Sequence, residues 1–276
     1  MTTFVRRRKL GMTSIKGIMA ASNSDMHLSN NFDPQGIRHD DVYIRWGCTS
    51  SVPNKEARVI NSAESIHRIS DKSGFRKDMQ EHGLCPETWW DIDDVPNPYD
   101  PMIVRSQTHS QGRGMWVCYG QFELTRACEQ AGRGYYINRL INKQSEYRVF
   151  VHQGYVVWVA QKTPGNPNDV AWNVAKGGRF DNVRWGDWDM AVVNNALDVF
   201  TLTKAHFAGI DVMLDAGGKA LCVEANSAPS QTSPYRQACV AKAFDHMIEK
   251  GDFHTDLRWE GPSLTWRDAI HPGVWS

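Results

Sequence analysis

Residues 209–226 read GIDVMLDAGGKALCVEAN, two apolar runs joined at Gly217 and Gly218. Ile210, Val212 and Leu214 on the first run, with Leu221 and Val223 on the second, recur at the period of half-buried strands. Asp215, Ala216, Gly217 and Gly218 supply the turn between them, because glycine reaches positive φ without steric cost. A tight antiparallel hairpin follows. Glu224 and Asn226 are two residues apart and share a face, and the returning chain places Asp211 beside them. Three oxygen donors on one rigid sheet suit Mg²⁺, which keeps several waters and takes substrate phosphates on its remaining positions. The competing reading is a surface hairpin whose acids are solvated.

The rest of the composition narrows the class. With 31 Lys and Arg against 31 Asp and Glu the chain of 276 residues has no net charge, which argues against a nonspecific nucleic-acid binder. The basic run at residues 6–9 reads as a solvated strand end. Apolar stretches near the start are short and interrupted, unlike a signal peptide, and no run approaches the length of a membrane span. A soluble, cytoplasmic protein is expected, residing in a host's cytoplasm if the chain is viral. Cys48, Cys85, Cys118, Cys128, Cys222 and Cys239 show no CxxC spacing, which argues against zinc and against a disulfide framework. Most of the eleven tryptophans are read as core or hinge packing, a minority as cleft lining.

Strand-like and helix-like segments alternate along the chain, giving an α+β class. Strands are expected at residues 4–8 and 42–46 around a helix at 14–21. The stretch 62–83 is helical, with Asp71 capping a helix that carries Phe75 and Met79 on one side and stops at Gly83 before Pro86. Strands at 102–105 and 115–119 flank a polar loop at 106–114, and further strands are expected at 135–141, 147–151 and 155–161. Helices at about 189–207 and 235–250 bracket the hairpin. The tail carrying Trp259, Trp266 and Trp275 has no periodicity.

Several groups suit a nucleotide. The loop from Ser106 through Gly112 to Gly114 offers backbone N–H groups to phosphates, although it lacks the Gly-Lys-Ser/Thr ending of a Walker A loop and reads equally as a hairpin turn. Lys72, Arg105 and Lys162 are cations able to neutralise a polyphosphate, or plain surface charges. Glu146 can accept from ribose hydroxyls. Arg148, Arg179 and Arg184 are candidates for gripping an acyl phosphate or a carboxylate. Cys222 lies two residues before Glu224, nominally on its face, and is read as packed.

The order of these pieces resembles the ATP-grasp ligases: residues 61–72 ending in Lys72, residues 83–88, Ile103 to Arg105 with its glycine-rich loop, Glu146 to Val151, Asn173 before Gly177 and Gly178, then the hairpin. The likeness runs from about residue 40 to about residue 232. It looks closest to D-alanine:D-alanine ligases at the hairpin and to ribosomal-protein glutamate ligases around Arg148 and Asn173. The N-terminal unit is similar to compact ATP-grasp proteins of tailed phages. The resemblance implies an ATP-grasp fold, with a short α/β unit at 1–62, a central subdomain with a phosphate lid at 63–137 and a C-terminal subdomain at 138–276. It implies ATP, held by Lys72, Arg105 and the loop residues Ser106, Gly112 and Gly114. The base would lie against Asn138, Leu140 and Ile141, with Glu146 on the ribose. Lys162 would approach the γ-phosphate, and Asp211, Glu224 and Asn226 would hold two Mg²⁺, with Mn²⁺ as an alternative.

The implied reaction joins a carboxylate to an amine through an acyl phosphate, with Arg148, Lys162 and Arg179 as catalytic residues. An ATP-grasp phosphotransferase and a noncatalytic nucleotide-binding protein are the alternatives. Three places depart from the family pattern: Arg105 stands where Lys is usual, Arg139 where Glu is frequent, and Gly209 where D-alanine ligases carry Arg. The last argues against D-alanine as substrate, and the small N-terminal unit leaves room for a peptide or protein end as acceptor.

Overall fold

The computed structural model describes residues 2–7, 11–29, 38, 40–49, 57–107, 114–167, 169–172, 174, 177–251 and 253. Three sheets organise them. The first contains β1 (Thr3–Arg7), β2 (Met26–Leu28), β3 (Val42–Trp46) and β4 (Arg58–Ile60), all parallel in the order β2-β1-β3-β4. Parallel neighbours need a crossover, and α1 (Met12–Ala21) supplies the one from β1 to β2. β2 and β4 were not expected. At three residues each they are too short to show a period.

The helical stretch that follows is two helices, α2 (Ala63–Ser70) and α3 (Lys72–Glu81), divided at Asp71. The Ser62 side chain accepts from Ser65 N–H to start α2, and the Asp71 side chain accepts from Gly74 N–H to start α3. Phe75 and Met79 are buried, as the spacing predicts.

The second sheet is antiparallel, in the order β5-β8-β6-β7, from β5 (Thr88–Trp89), β6 (Met102–Ser106), β7 (Met115–Cys118) and β8 (Tyr135–Arg139). Met102, Val104 and Ile137 on one face meet Leu124, Ala127 and Cys128 of α4 (Gln121–Ala131), a helix the sequence reading omitted. The opposite face carries Ile103, Arg105 and Asn138.

The third sheet is wholly antiparallel, in the order β11-β10-β9-β12-β13. Its strands are β9 (Lys143–His152), β10 (Tyr155–Thr163), β11 (Arg179–Val183), β12 (Phe207–Asp215) and β13 (Ala220–Asn226). Alternation along β9 decides what each face holds. Tyr147, Val149 and Val151 pack with Ile210 and Val212 against α5 (Met190–Thr203). Glu146, Arg148 and Phe150 take the other face. Half of that face is covered by α6 (Pro234–Lys250) and the first sheet. There Phe207 stacks on Trp46 at 5.2 Å and on Phe150 at 5.9 Å, with Phe244 edge-on at 5.2 Å. The other half is open and carries the polar residues.

A buried amide joins the first sheet to the third. Asn61, at φ 63°, donates its backbone N–H to His206 Nδ1 (2.9 Å), and its side-chain oxygen accepts from the N–H groups of His206 (2.8 Å) and Phe207 (3.1 Å). All six cysteines are free and buried. Among the described residues no helix is long and apolar enough to cross a membrane.

Phe207 touches rings from β3, β9 and α6, so Phe207→Ala should cost about 3–5 kcal/mol of stability in chemical denaturation. A loss below about 1 kcal/mol would show that these elements do not share one core.

Candidate active site

The hairpin turn closes on Asp215, whose side chain accepts from Gly217 N–H (2.8 Å) and Lys219 N–H (2.8 Å), while Gly218 takes φ 82°. Gly209 then pairs with Asn226 and Asp211 with Glu224, but Val212 pairs with Cys222. Val223 is therefore an extra residue, a β-bulge. The bulge corrects the nominal alternation: Cys222 is fully buried in the α5 core, whereas Glu224 faces the open side. Burial pushes the Cys222 thiol far above its ordinary pKa, in keeping with a packed residue.

The open half of the third sheet, the Ile103–Arg105–Asn138 face of the second and the start of α3 enclose a cavity of about 830 Å³. Seven cationic side chains line it against four carboxylates, so it suits an anion. At its floor lies a buried charge chain. Arg148 grips Asp211 with both ends of its fork, Nε to Oδ1 at 2.6 Å and Nη2 to Oδ2 at 2.8 Å. Lys162 donates to Asp211 Oδ2 (2.7 Å) and to Glu146 Oε1 (2.6 Å), and Lys143 donates to Glu146 Oε2 (2.6 Å) and Val170 O (2.6 Å). Burial alone would raise the pKa of Asp211; Arg148 and Lys162 outweigh it and hold the carboxyl down at about 2. Burial likewise opposes the charge on Lys162, and Asp211 and Glu146 overcome it, so its pKa rises. Lys72 and Lys143 show the reverse balance: desolvation lowers both, only partly offset by Glu224 and Glu146 respectively.

Lys72, Arg105, Asn138, Leu140, Ile141, Glu146, Arg148, Lys162, Asp211 and Glu224 all line this cavity. Asn226 sits beside it and donates its side-chain N–H to Glu224 Oε1 (3.3 Å). Ser106 and Gly114 frame the loop through a 3.0 Å backbone hydrogen bond, while Gly112 and Asn173 lie outside the described residues, as do Trp259, Trp266 and Trp275. Asn138 donates to Thr88 Oγ1 (2.5 Å), and Leu140 N–H donates to Pro101 O (2.9 Å), so both brace the wall. Glu146 has lysines as its nearest partners. Arg139 is held by Glu87 (2.6 Å) and Asp100 (2.8 Å).

Arg179 on β11 pairs with Thr163 of β10, is 72% exposed and meets Asp181 at 3.0 Å, because its neighbour Phe180, opposite Lys162, takes the cavity side. Arg184 is also exposed and away from the cavity. Phe180 was missed: its ring has Arg148 at 4.9 Å and Lys162 at 5.7 Å, but an edge strand reading RFDNV offers no apolar alternation to reveal it. Lys143 and Arg76 were missed too. Lys143, 4.2 Å from the Trp172 ring, carried a signal in its spacing of three from Glu146.

At Gly209 an added Cβ would lie 2.6 Å from Pro229 Cβ and 3.7 Å from Arg148 Cδ, so any side chain is excluded. Asp211 Oδ1 accepts one hydrogen bond, and the nearest cation to Glu224 Oε2 is Lys72 at 3.9 Å. Among the described residues no group of three or more His, Cys, Asp and Glu could hold a metal. Two facing carboxylates and an amide nevertheless fit Mg²⁺, which is commonly held by one or two carboxylates plus phosphate oxygens.

No protein-family model matches the chain, and no curated protein is similar to it in sequence. Solved structures are similar in fold. The D-alanine–D-alanine ligase of Bacillus anthracis complexed with ATP superposes with TM-score 0.66 at 14% identity, covering 90% of this chain and 97% of that one. A RiPP-associated ATP-grasp ligase of Chryseobacterium gregarium, in complex with ADP and a leader and core peptide, gives 0.66 at 10% identity, covering 94% and 99%. The ATP-grasp ligase PsnB complexed with minimal precursor, Mg and ADP gives 0.64 at 11%, covering 89% and 97%. The chain has the ATP-grasp fold.

The depressed Asp211 pKa has a pH signature. A carboxyl titrating near 2 in the folded state and 3.8 otherwise contributes about 2 kcal/mol of stability, present above about pH 4 and lost as pH falls toward 2. The stability gap between the wild type and Asp211→Asn, from urea denaturation, should therefore be full at neutral pH and narrow by about that amount between pH 4 and 2. A gap that stays constant down to about pH 2 would refute the ionised cluster.

Proposed function

We propose, from the ATP-grasp fold and its cation-rich cleft, that this chain is an ATP-dependent ligase joining a carboxylate to an amine. The observation that carries the reading is the register pair Asp211 and Glu224 lining one cavity together with Lys72, Arg105, Arg148 and Lys162. The excess of cations matches the charge of a nucleoside triphosphate. Lys72 and Arg105 would hold its phosphates beneath the loop carrying Ser106, Gly112 and Gly114. Asn138, Leu140 and Ile141 would flank the base, with Glu146 near the ribose. Asp211, Glu224 and Asn226 would hold Mg²⁺, which when bound neutralises the phosphate oxygens.

A free carboxylate is a poor acyl donor. Its oxygen attacks the γ-phosphorus, the bond to the β,γ-bridging oxygen breaks, and ADP leaves with that electron pair. The amine then attacks the acyl carbon, the C–O bond to phosphate breaks, and the amine loses a proton. Both steps need positioning and charge neutralisation, not a side-chain nucleophile. Lys162 is buried where it can meet the transferred phosphoryl group, and Arg148, anchored by Asp211, can hold the acyl phosphate. The likeness to structures determined with precursor, leader and core peptides supports a peptide or protein end as one substrate.

Glu224→Gln keeps shape and removes an anionic donor, so Mg²⁺-dependent ADP release should fall by roughly a thousandfold, the kinetic equivalent of several kcal/mol. Near-native release would mean that the metal site is misassigned. With an ¹⁸O-labelled carboxylate substrate, ligation should move one label into the released phosphate. Label kept wholly in the acid alongside a phosphorylated product would replace the ligase by a phosphotransferase.

A further inference from the structure

β13 is the outer strand of the third sheet, and its outward edge is held by Arg76. This arginine, one turn beyond Lys72 on α3, is only 4% exposed and lies 5.9 Å from the Tyr136 ring. Its Nη1 donates to Cys222 O at 3.3 Å, and its Nη2 donates to Val223 O. In a regular strand successive carbonyls point to opposite edges, so one side chain cannot take both. Here the bulge turns the Val223 carbonyl outward beside that of Cys222, and the planar fork accommodates the pair.

The bulge also decides where Glu224 points. Continuing the Val212–Cys222 register without it would place Val223 opposite Asp211 and Glu224 opposite Ile210, whose side chain is buried against α5. With it, Glu224 stands opposite Asp211 and faces the cavity, its carboxylate 3.9 Å from Lys72 Nζ. The first turns of α3 thus hold β13 at two places, Lys72 at the carboxylate and Arg76 at the backbone behind it.

We infer that Arg76 is a positioning residue for metal-bound nucleotide: by holding two successive carbonyls of the bulge it fixes Glu224 on the cavity face. This deepens the proposed function and rests on it. Arg76 touches neither nucleotide nor substrate in this role, and lysine, with one point of attachment, cannot replace its fork.

The test compares ADP binding with and without Mg²⁺ by calorimetry in the wild type, Arg76→Lys and Arg76→Met. Residues that orient a ligand commonly cost about 10- to 100-fold in metal affinity when lost. Mg·ADP affinity should fall by about that factor in both variants, while metal-free ADP affinity stays within about twofold in Arg76→Lys, which keeps the charge. On a Glu224→Gln background, Arg76→Lys should add no further loss. Equal weakening with and without Mg²⁺, or no weakening at all, overturns the inference. If the variants do not fold, the guanidinium NMR signals of Arg76 in the wild type decide: they should shift on adding Mg·ADP and not on adding ADP alone, and unmoved signals refute the role. Failure of the wild type itself to bind Mg·ADP refutes the nucleotide reading, and this inference falls with it. Wild-type binding matched by Arg76→Lys refutes only the positioning role.

Discussion

Asp211 is a carboxylate held almost out of water by three charge-assisted hydrogen bonds, two from Arg148 and one from Lys162. Each partner comes from a different strand: Asp211 from β12, Arg148 from β9 and Lys162 from β10. A buried ion stripped of its partner costs several kcal/mol, so the cluster tolerates only the register that brings all three together. A slip of one residue on β9 or β12 would turn Arg148 or Asp211 into the α5 core. The cluster and the sheet register therefore specify each other.

That register divides one sheet face into two territories. Phe150, two residues beyond Arg148, begins the aromatic contact with Phe207, Trp46 and Phe244 that joins the first sheet and α6 to the third. Arg148 and Glu146 begin the charged floor. The shared core makes the floor a fixed surface, because the strands carrying it are clamped from both sides by packed layers. Across the cleft the second sheet repeats the logic on a smaller scale, with Met102 and Val104 turned to α4 and Ile103 and Arg105 turned to the cavity.

The electrostatics explain why so many cations can stand together. Asp211 and Glu146 offset Arg148 and Lys162 at the floor, whereas Lys143 and Lys72, the latter 3.9 Å from Glu224, are held less firmly in their charged forms. An entering anion would relieve that imbalance. Gly209 belongs to the same economy of space: Pro229 occupies the volume a side chain there would need.

The sequence by itself determined the hairpin and the Asp71 cap, because each rests on local chemistry or on a two-residue period. It also carried the order of motifs that resembles ATP-grasp ligases, and the fold agrees. Only the tertiary structure decided the rest. Phe180 takes the cavity side of β11 and Arg179 the other because strand parity on an edge strand depends on pairing with β10. Cys222 and Glu224 part company because a bulge at Val223 breaks the alternation the sequence suggests. Arg76 could be assigned no role from its neighbours in sequence, since its partners lie 146 and 147 residues away. Periodicity reveals which residues share a face of one element; which element that face meets, and which carbonyl a distant arginine reaches, is fixed only when the sheets and helices pack.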